Sequence, residues 1–322
     1  MTVLVVLEHA DGVLAEPTAQ ALTLARELVT DRHLQGVVVD AAGAGAELAA
    51  QAGAYGAATL HAAAVDGSYA PLAWARGVAE TAGRVGATAV VAAGTDVGNE
   101  VLAHVAALLD LPLAANCTEV VLGDPTAVTR VRWGGSLLER AHLHGAPALV
   151  TVQPHAVAAS SAGAGAASVE EFVPALADGD LAVRVAEHVA APAGGVSLAD
   201  AKVVVSGGRG VGSAEGFAVV EELAALLGGA VGCSRVVTSA GWRPHTDQVG
   251  QTGTKISPEL YIPCGISGAT QHIAGCRGAR RVLAVNADAE APILASADYA
   301  VIGDLHEILP AISAEIRRVR GS

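Results

Sequence analysis

Short apolar runs of strand length alternate along this chain with segments whose apolar residues return at helical spacing. Residues 3–7 form a β-branched run, and residues 17–29 carry apolar side chains at helical spacing behind Pro17, which suits a helix start. Residues 36–39 are apolar again, and the pattern repeats, with buried strands predicted over 59–62 and 88–93 around a helix over 72–84. A further helix is expected over 101–109, with Asp96 and Asn99 as candidate caps. Such alternation predicts βαβ units and a mostly parallel sheet. Between residues 118 and 151 the signal shifts toward strand, strongest over 126–133 and 148–152.

Two composition breaks follow. Residues 156–167 are Ala, Ser and Gly, a low-complexity loop, and residues 191–195 read Ala-Pro-Ala-Gly-Gly. The second break marks the domain boundary, giving an N-terminal βαβ-type α/β domain over 1–195 and a second domain over 196–322. Residues 202–206 open the second domain as a buried strand that runs into a glycine-rich loop at 207–212 and a helix over 214–227. Later strands are expected at 260–262, 281–285 and 299–302. This is the spacing of a doubly wound parallel sheet, whose ligands sit beyond the carboxyl ends of the strands.

Composition narrows the class. A chain of 322 residues, 52% hydrophobic and 16% charged, has material for two cores. Only 3% of residues are aromatic, so close helix-on-sheet packing by small side chains is expected. The net charge of -13 argues against nucleic acid and anionic membrane surfaces as main partners. Cys117, Cys233, Cys264 and Cys276 match neither a zinc ribbon nor a disulfide framework and read as reduced thiols in small core spaces. Met1 leads straight into a strand with no basic leader, and no apolar run reaches the ~20 residues of a membrane span, which predicts a cytoplasmic protein without membrane insertion.

The chemistry-bearing residues gather in the second half. The loop at 207–212 tempts toward a dinucleotide fingerprint, but Ser213 stands where Gly208-x-Gly210 requires a third glycine, and Glu215 where Gly210-x-Gly212 does. The loop carries Arg209 instead, a fixed cation whose fork suits a pyrophosphate. The turn Gly265-Ile266-Ser267-Gly268 follows an apolar run and precedes a helical segment, so its backbone N–H groups are placed to cradle an anion. Gln271 and His272 add a neutral hydrogen-bonding group and a titratable one, more than a phosphate clamp alone needs. The loop Asp247 to Gly253 holds two amides and a hydroxyl with no helix or strand period.

Residues 260–286 (LYIPCGISGATQHIAGCRGARRVLAVN) resemble the signature of the electron transfer flavoprotein alpha subunits. Val249-Gly250-Gln251-Thr252-Gly253 and Gly232-Cys233-Ser234-Arg235 match further family motifs, and Arg132-Trp133-Gly134-Gly135 is similar to a turn of the same subunits. The match is dense from about residue 202 to 310 and looser before it. Pro263 and Thr270 depart from the family pattern, which puts a slightly altered strand end and turn in view with binding retained.

The resemblance implies an FAD site. Ser234 would contact the cofactor and Arg235 would lie over the flavin ring, while Val249, Gly250, Gln251 and Thr252 would reach the flavin, with the Thr252 hydroxyl near N5. Ser267, Gly268, Ala269, Thr270, Gln271 and His272 match the cofactor-contacting run, with His272 beside the N1–C2=O edge as a hydrogen-bond donor or, if protonated, a compensating charge. Asn286, Asp304 and Leu305 match positions that hold the adenosine portion. The implied protein is the alpha subunit of a heterodimer with an electron transfer flavoprotein beta subunit, its first domain the scaffold against that partner. Its expected role is an electron carrier, and no stand-alone catalyst, that takes electrons from flavin-dependent dehydrogenases and passes them to a quinone reductase or other acceptor. Two alternatives stand beside it: a subunit of an electron-bifurcating flavoprotein, and a nucleotide-binding regulatory subunit without redox function.

Overall fold

The computed structural model describes residues 1–29, 33–40, 44–65, 67–133, 137–163, 165–187 and 196–321. The chain divides into two compact units, Met1–His188 and Val189–Ser322. The boundary expected at 191–195 lies outside the described residues, as do Gly134 and Gly135 of the glycine turn.

In the first unit the apolar runs become strands β1 (Thr2–Val6), β4 (Leu34–Asp40), β5 (Thr59–Ala64), β6 (Ala87–Ala93) and β10 (Ala148–Val152), and β2 (His9–Ala10) and β3 (Val13–Leu14) form a small hairpin. The helices between them are α1 (Glu16–Glu27), α2 (Ala44–Ala54), α3 (Pro71–Arg84) and α4 (Asp96–Leu109). The strand-rich stretch resolves into β7 (Leu113–Val121), β8 (Thr126–Arg132) and β9 (Leu137–Leu143), an antiparallel meander at one end of a nine-stranded sheet. The low-complexity loop runs into an edge strand, β11 (Ser168–Phe172), which pairs parallel to β5. The full order is β11-β5-β4-β1-β6-β10-β7-β8-β9.

Side chains alternate across this sheet as the two-residue strand period requires. Val3, Val5 and Leu7 pack with Leu22 of α1 and Leu48 of α2. Leu4 and Val6 face the other way, toward Ala73 and Val78 of α3 and Val101 and Leu102 of α4. The small residues work as expected: a Cβ on Gly77 of α3 would stand 3.1 Å from Val39, so the helix already lies close on β4. The four cysteines are free and buried, and burial pushes Cys117, Cys233 and Cys264 up to about 12 and Cys276 to about 11.

The α4 cap is Thr95, one residue before the expected Asp96. Its hydroxyl accepts from the Gly98 amide at 2.9 Å and donates to the Glu8 carboxylate at 2.6 Å. Asn99, the other expected cap, lies inside the helix and accepts from the Thr151 hydroxyl. Glu8 follows β1 where the strand order turns, between β1 and β6, so its Thr95-bound carboxylate stands where such a sheet would take a ligand.

The second unit is a five-stranded parallel sheet of β12 (Val203–Gly207), β13 (Ala230–Cys233), β14 (Leu260–Cys264), β15 (Leu283–Asn286) and β16 (Tyr299–Ile302), in the order β13-β12-β14-β15-β16. On one face α5 (Ala218–Leu227) and α8 (Leu305–Arg320) pack their Val220, Leu223 and Leu309 against Val205 and Ile262. The helix expected over 214–227 begins as a 3-10 turn, Glu215–Phe217, which drops Phe217 into the core beneath Gly207. The other face joins Val204 and Tyr261 to Val249, Ile256 and Cys276. It is covered in part by α7 (Thr270–Cys276), while the short α6 (Arg235–Ser239) follows β13. No helix among the described residues is long and apolar enough to cross a membrane.

Candidate functional site

The order of the second sheet turns between β12 and β14, and the loops leaving these two strands meet above that point. The Gly208 amide donates to the Cys264 carbonyl at 2.9 Å and the Gly210 amide to the Gly265 carbonyl at 3.0 Å. A Cβ on Gly208 would stand 2.2 Å from the Gly265 oxygen, and one on Gly210 2.7 Å from the Gly265 Cα, so only glycine admits this approach. Gly265 itself has φ +60, the left-handed region, and its amide is spent on the Val285 carbonyl. The anion cradle expected at Gly265 therefore begins one residue later. Among the described residues, none of the amides of residues 266–271 has a hydrogen-bond acceptor. Ser267, Ala269, Thr270 and Gln271 are exposed along this run, with Gly268 buried against Ile293.

The remaining loops are tied to this pair. Ser234 follows β13 and donates its amide to the Gly207 carbonyl at 3.1 Å, while its hydroxyl makes no capping bond. Arg235 begins α6, exposed, and neither it nor Arg209 makes an ion pair with a described residue. Val249 donates its amide to Cys233 at 2.9 Å, and Gln251 donates its amide to the Gln271 carbonyl at 2.8 Å, so residues 249–252 are stretched between the end of β13 and the start of α7. A Cβ on Gly275 would stand 2.4 Å from Gly250, which shows how closely that loop lies on α7. Gln251 and Thr252 are exposed and stand with Gln271 at the carboxyl edge.

Several expected site residues turn inward. Val249 and Leu305 are buried in the two cores, leaving only their backbone to a ligand. Asn286 is buried, donating to the Ile266 carbonyl at 2.8 Å and accepting from the Asp288 amide at 3.1 Å, so its side chain braces the cradle turn. Asp304 is exposed and caps α8 by accepting from the His306 amide at 2.8 Å. His272 is buried, with Nε2 2.7 Å from the Tyr261 hydroxyl. Burial pushes this imidazole down to about 4, opposed only by the backbone of Val249, so the ring is neutral at neutral pH. Of its two expected roles, burial therefore favours the neutral hydrogen-bonding one in the chain as it stands.

Three contributors were not expected from sequence. Buried Gln248 donates to the Thr252 hydroxyl at 3.0 Å and accepts from the Thr238 hydroxyl at 2.6 Å, fixing Thr252 from below. His306 Nε2 lies 3.1 Å from the Val211 carbonyl, joining α8 to the first glycine loop. Tyr261 is the third, through His272. Only Gln248 carried a signal, an amide in a loop otherwise rich in turn residues. Arg243, by contrast, is a bracing residue paired with Glu221 and Asp247 over the Phe217 ring.

A run of free amides, two unpaired guanidinium groups and the neutral donors and acceptors of Gln251, Thr252 and Gln271 fit a ligand that joins a diphosphate to a flat ring with polar edges. Residues 197–277 match the family model described as the electron transfer flavoprotein FAD-binding domain, and residues 3–177 the model described as the electron transfer flavoprotein domain. The electron transfer flavoprotein subunit alpha of Mycobacterium tuberculosis (strain ATCC 25618 / H37Rv) is 39% identical over 324 residues, 99% of each chain. The chain belongs to the electron transfer flavoprotein alpha-subunit family. The alpha subunit of Mycobacterium leprae (strain TN) is 38% identical over 320 residues, again 99% of each chain, and that of Bacillus subtilis (strain 168) is 38% identical over 227 residues, 70% of this chain and 69% of that one. FAD is the cofactor for which this alpha-subunit chain is built, and its free donors lie where such a sheet binds ligands.

Two outcomes follow. Gly208→Val should drive the loops after β12 and β14 apart and abolish FAD retention while leaving the first unit folded, read by bound-flavin absorbance and by circular dichroism. Because the unfolded chain takes up a proton near the ordinary 6.5 that folded His272 refuses until about 4, the second unit should lose stability as pH falls through that window. His272→Gln should flatten this part of the profile, measured by urea midpoints at pH 7 and pH 5; equal midpoint losses in both proteins would remove the titration from His272.

Proposed function

We propose that this alpha subunit pairs with an electron transfer flavoprotein beta subunit as a cytoplasmic electron carrier, receiving electrons from flavin-dependent dehydrogenases and delivering them to a quinone reductase or other acceptor. Bound FAD supplies the reversible uptake and release of electrons. The observation that carries the reading is the run of acceptor-free amides at 266–271 beside the unpaired Arg209 and Arg235. In this reading Arg209 and the amides of Ser267, Gly268, Ala269, Thr270 and Gln271 hold the pyrophosphate. Arg235 offers a fixed positive charge to the ring system, and Ser234, Gly250, Gln251, Thr252 and His272 offer neutral hydrogen bonds to its edge. Asn286 holds the cradle turn in shape, while Asp304 and the Leu305 backbone bound the adenosine end. A purely regulatory nucleotide site has no use for Arg235, Thr252 and His272 together. No side chain acts as nucleophile or acid.

The partner surface is assigned to the first unit, 1–195, and the FAD domain to 196–322. Supporting this, Trp133, Leu137 and Leu138 beside the β8–β9 connection are 82%, 56% and 70% exposed, large apolar side chains that a solvated surface does not favour. Trp133→Glu with Leu138→Glu should prevent co-purification with the beta subunit, and an intact heterodimer on size exclusion would move the interface elsewhere.

The test of the function is the chain purified with its beta subunit, with flavin quantified. One FAD per heterodimer, reducible in steps, is expected, and Arg209→Ala should weaken FAD binding by about ten- to a hundredfold, the range for losing a charge-assisted hydrogen bond. A colourless complex that added FAD cannot reconstitute would contradict the reading.

A further inference from the structure

Beneath the loop at 249–252 lies a buried polar pair that the expected cofactor contacts do not account for. Tyr261, on β14, is fully buried, and His272, on α7, is buried beside it, with the two rings tilted 30° apart and joined by the 2.7 Å bond from the phenol oxygen to Nε2. The pair is a bond between strand and helix, closed over the turn that forms the amide cradle. Burial also holds the phenol well above its usual range, so both partners are neutral.

Two neutral groups share one proton across that bond. If Nε2–H donates to the phenol oxygen, the Tyr261 hydroxyl must turn to the Ser206 hydroxyl beside it, and Nδ1 becomes a bare lone pair in the interior. If the phenol donates, Nε2 accepts and Nδ1 carries the hydrogen. The Val249 backbone raises the ring's affinity for a proton without distinguishing its two nitrogens. Among the described residues, Nδ1 is one of the buried side-chain polar atoms without a hydrogen-bond partner, alongside Ser206 Oγ and Ser313 Oγ. An unmatched N–H in the interior costs free energy unless a ligand or a small shift satisfies it.

We propose that Tyr261 is a positioning residue: its phenol donates to Nε2 of His272 and locks that ring as the neutral Nδ1–H tautomer, so that His272 meets the cofactor side of the fold as a fixed hydrogen-bond donor. The effect on the flavin rests on the FAD reading above; the tautomer itself does not. Nothing moves between protonation states in this arrangement. The tyrosine selects which nitrogen carries the hydrogen and where the ring points, which a phenylalanine of the same shape would not do.

The experiment is nitrogen-15 NMR of the heterodimer labelled at histidine, with His272 assigned by the signal lost in His272→Gln, together with FAD affinity of wild type and Tyr261→Phe. In wild type the Nδ1 resonance should be protonated and Nε2 unprotonated at pH 7. In Tyr261→Phe the ring should pass to a mixture of tautomers and FAD should bind about tenfold more weakly, as for one lost hydrogen bond. A protonated Nε2 in wild type would overturn the proposal even if the variant fails to fold, and so would an unchanged tautomer and affinity in a folded variant. A wild-type complex that binds no FAD would count against the function and leave the tautomer result to stand by itself.

Discussion

Backbone laid directly on backbone at the turn of the second sheet is the constraint on which the site depends. Gly208 and Gly210 pass so close to Gly265 that their amides are consumed in holding the two loops together. This closure brings Arg209 to the carboxyl edge and frees the next stretch, 266–271, from any need to support β14. Its amides are left to face a ligand because the neighbouring glycines have already met the structural demand. Hydrogen bonds from Asn286 to Ile266, from Ser234 to Gly207 and between His306 and Val211 carry the same constraint to the other strands.

The two units treat the same architectural opportunity in opposite ways. Each has a sheet whose parallel strands change direction of order at one point, where ligands of such sheets bind. In the first unit Glu8, held by the Thr95 hydroxyl, stands at that turn, and burial raises its carboxyl above the ordinary carboxylate range. In the second the crevice is lined by glycine backbone and exposed donors. The family match over residues 197–277 likewise puts the cofactor in the second unit.

Much of the fold was legible because its strands are continuous apolar runs separated by helical periodicity. β11 escaped because Ser168-Val169-Glu170-Glu171-Phe172 lies at a sheet edge, where polar side chains on both faces erase the apolar signal. The Thr95 cap was missed because Asp96 and Asn99 are equally good cap residues by type, and only the helix start decides between them. In the site, the glycine turns and their flanking polar residues announced the positions, yet not the direction of each side chain. Val249 and Asn286 point into the protein because of contacts made across the sheet, and the tie of His272 to Tyr261 joins residues separated by a strand end, a turn and a helix start. Such pairings are tertiary and leave no local periodicity.

FAD is expected to be held by the carboxyl-edge loops of the second unit's sheet. Hydrogen–deuterium exchange of the heterodimer with and without FAD tests it most directly. Protection gained at residues 208–212, 249–252 and 266–271 is the predicted result. Protection confined to the loops of the first unit, around Glu8 and Thr95, would contradict it.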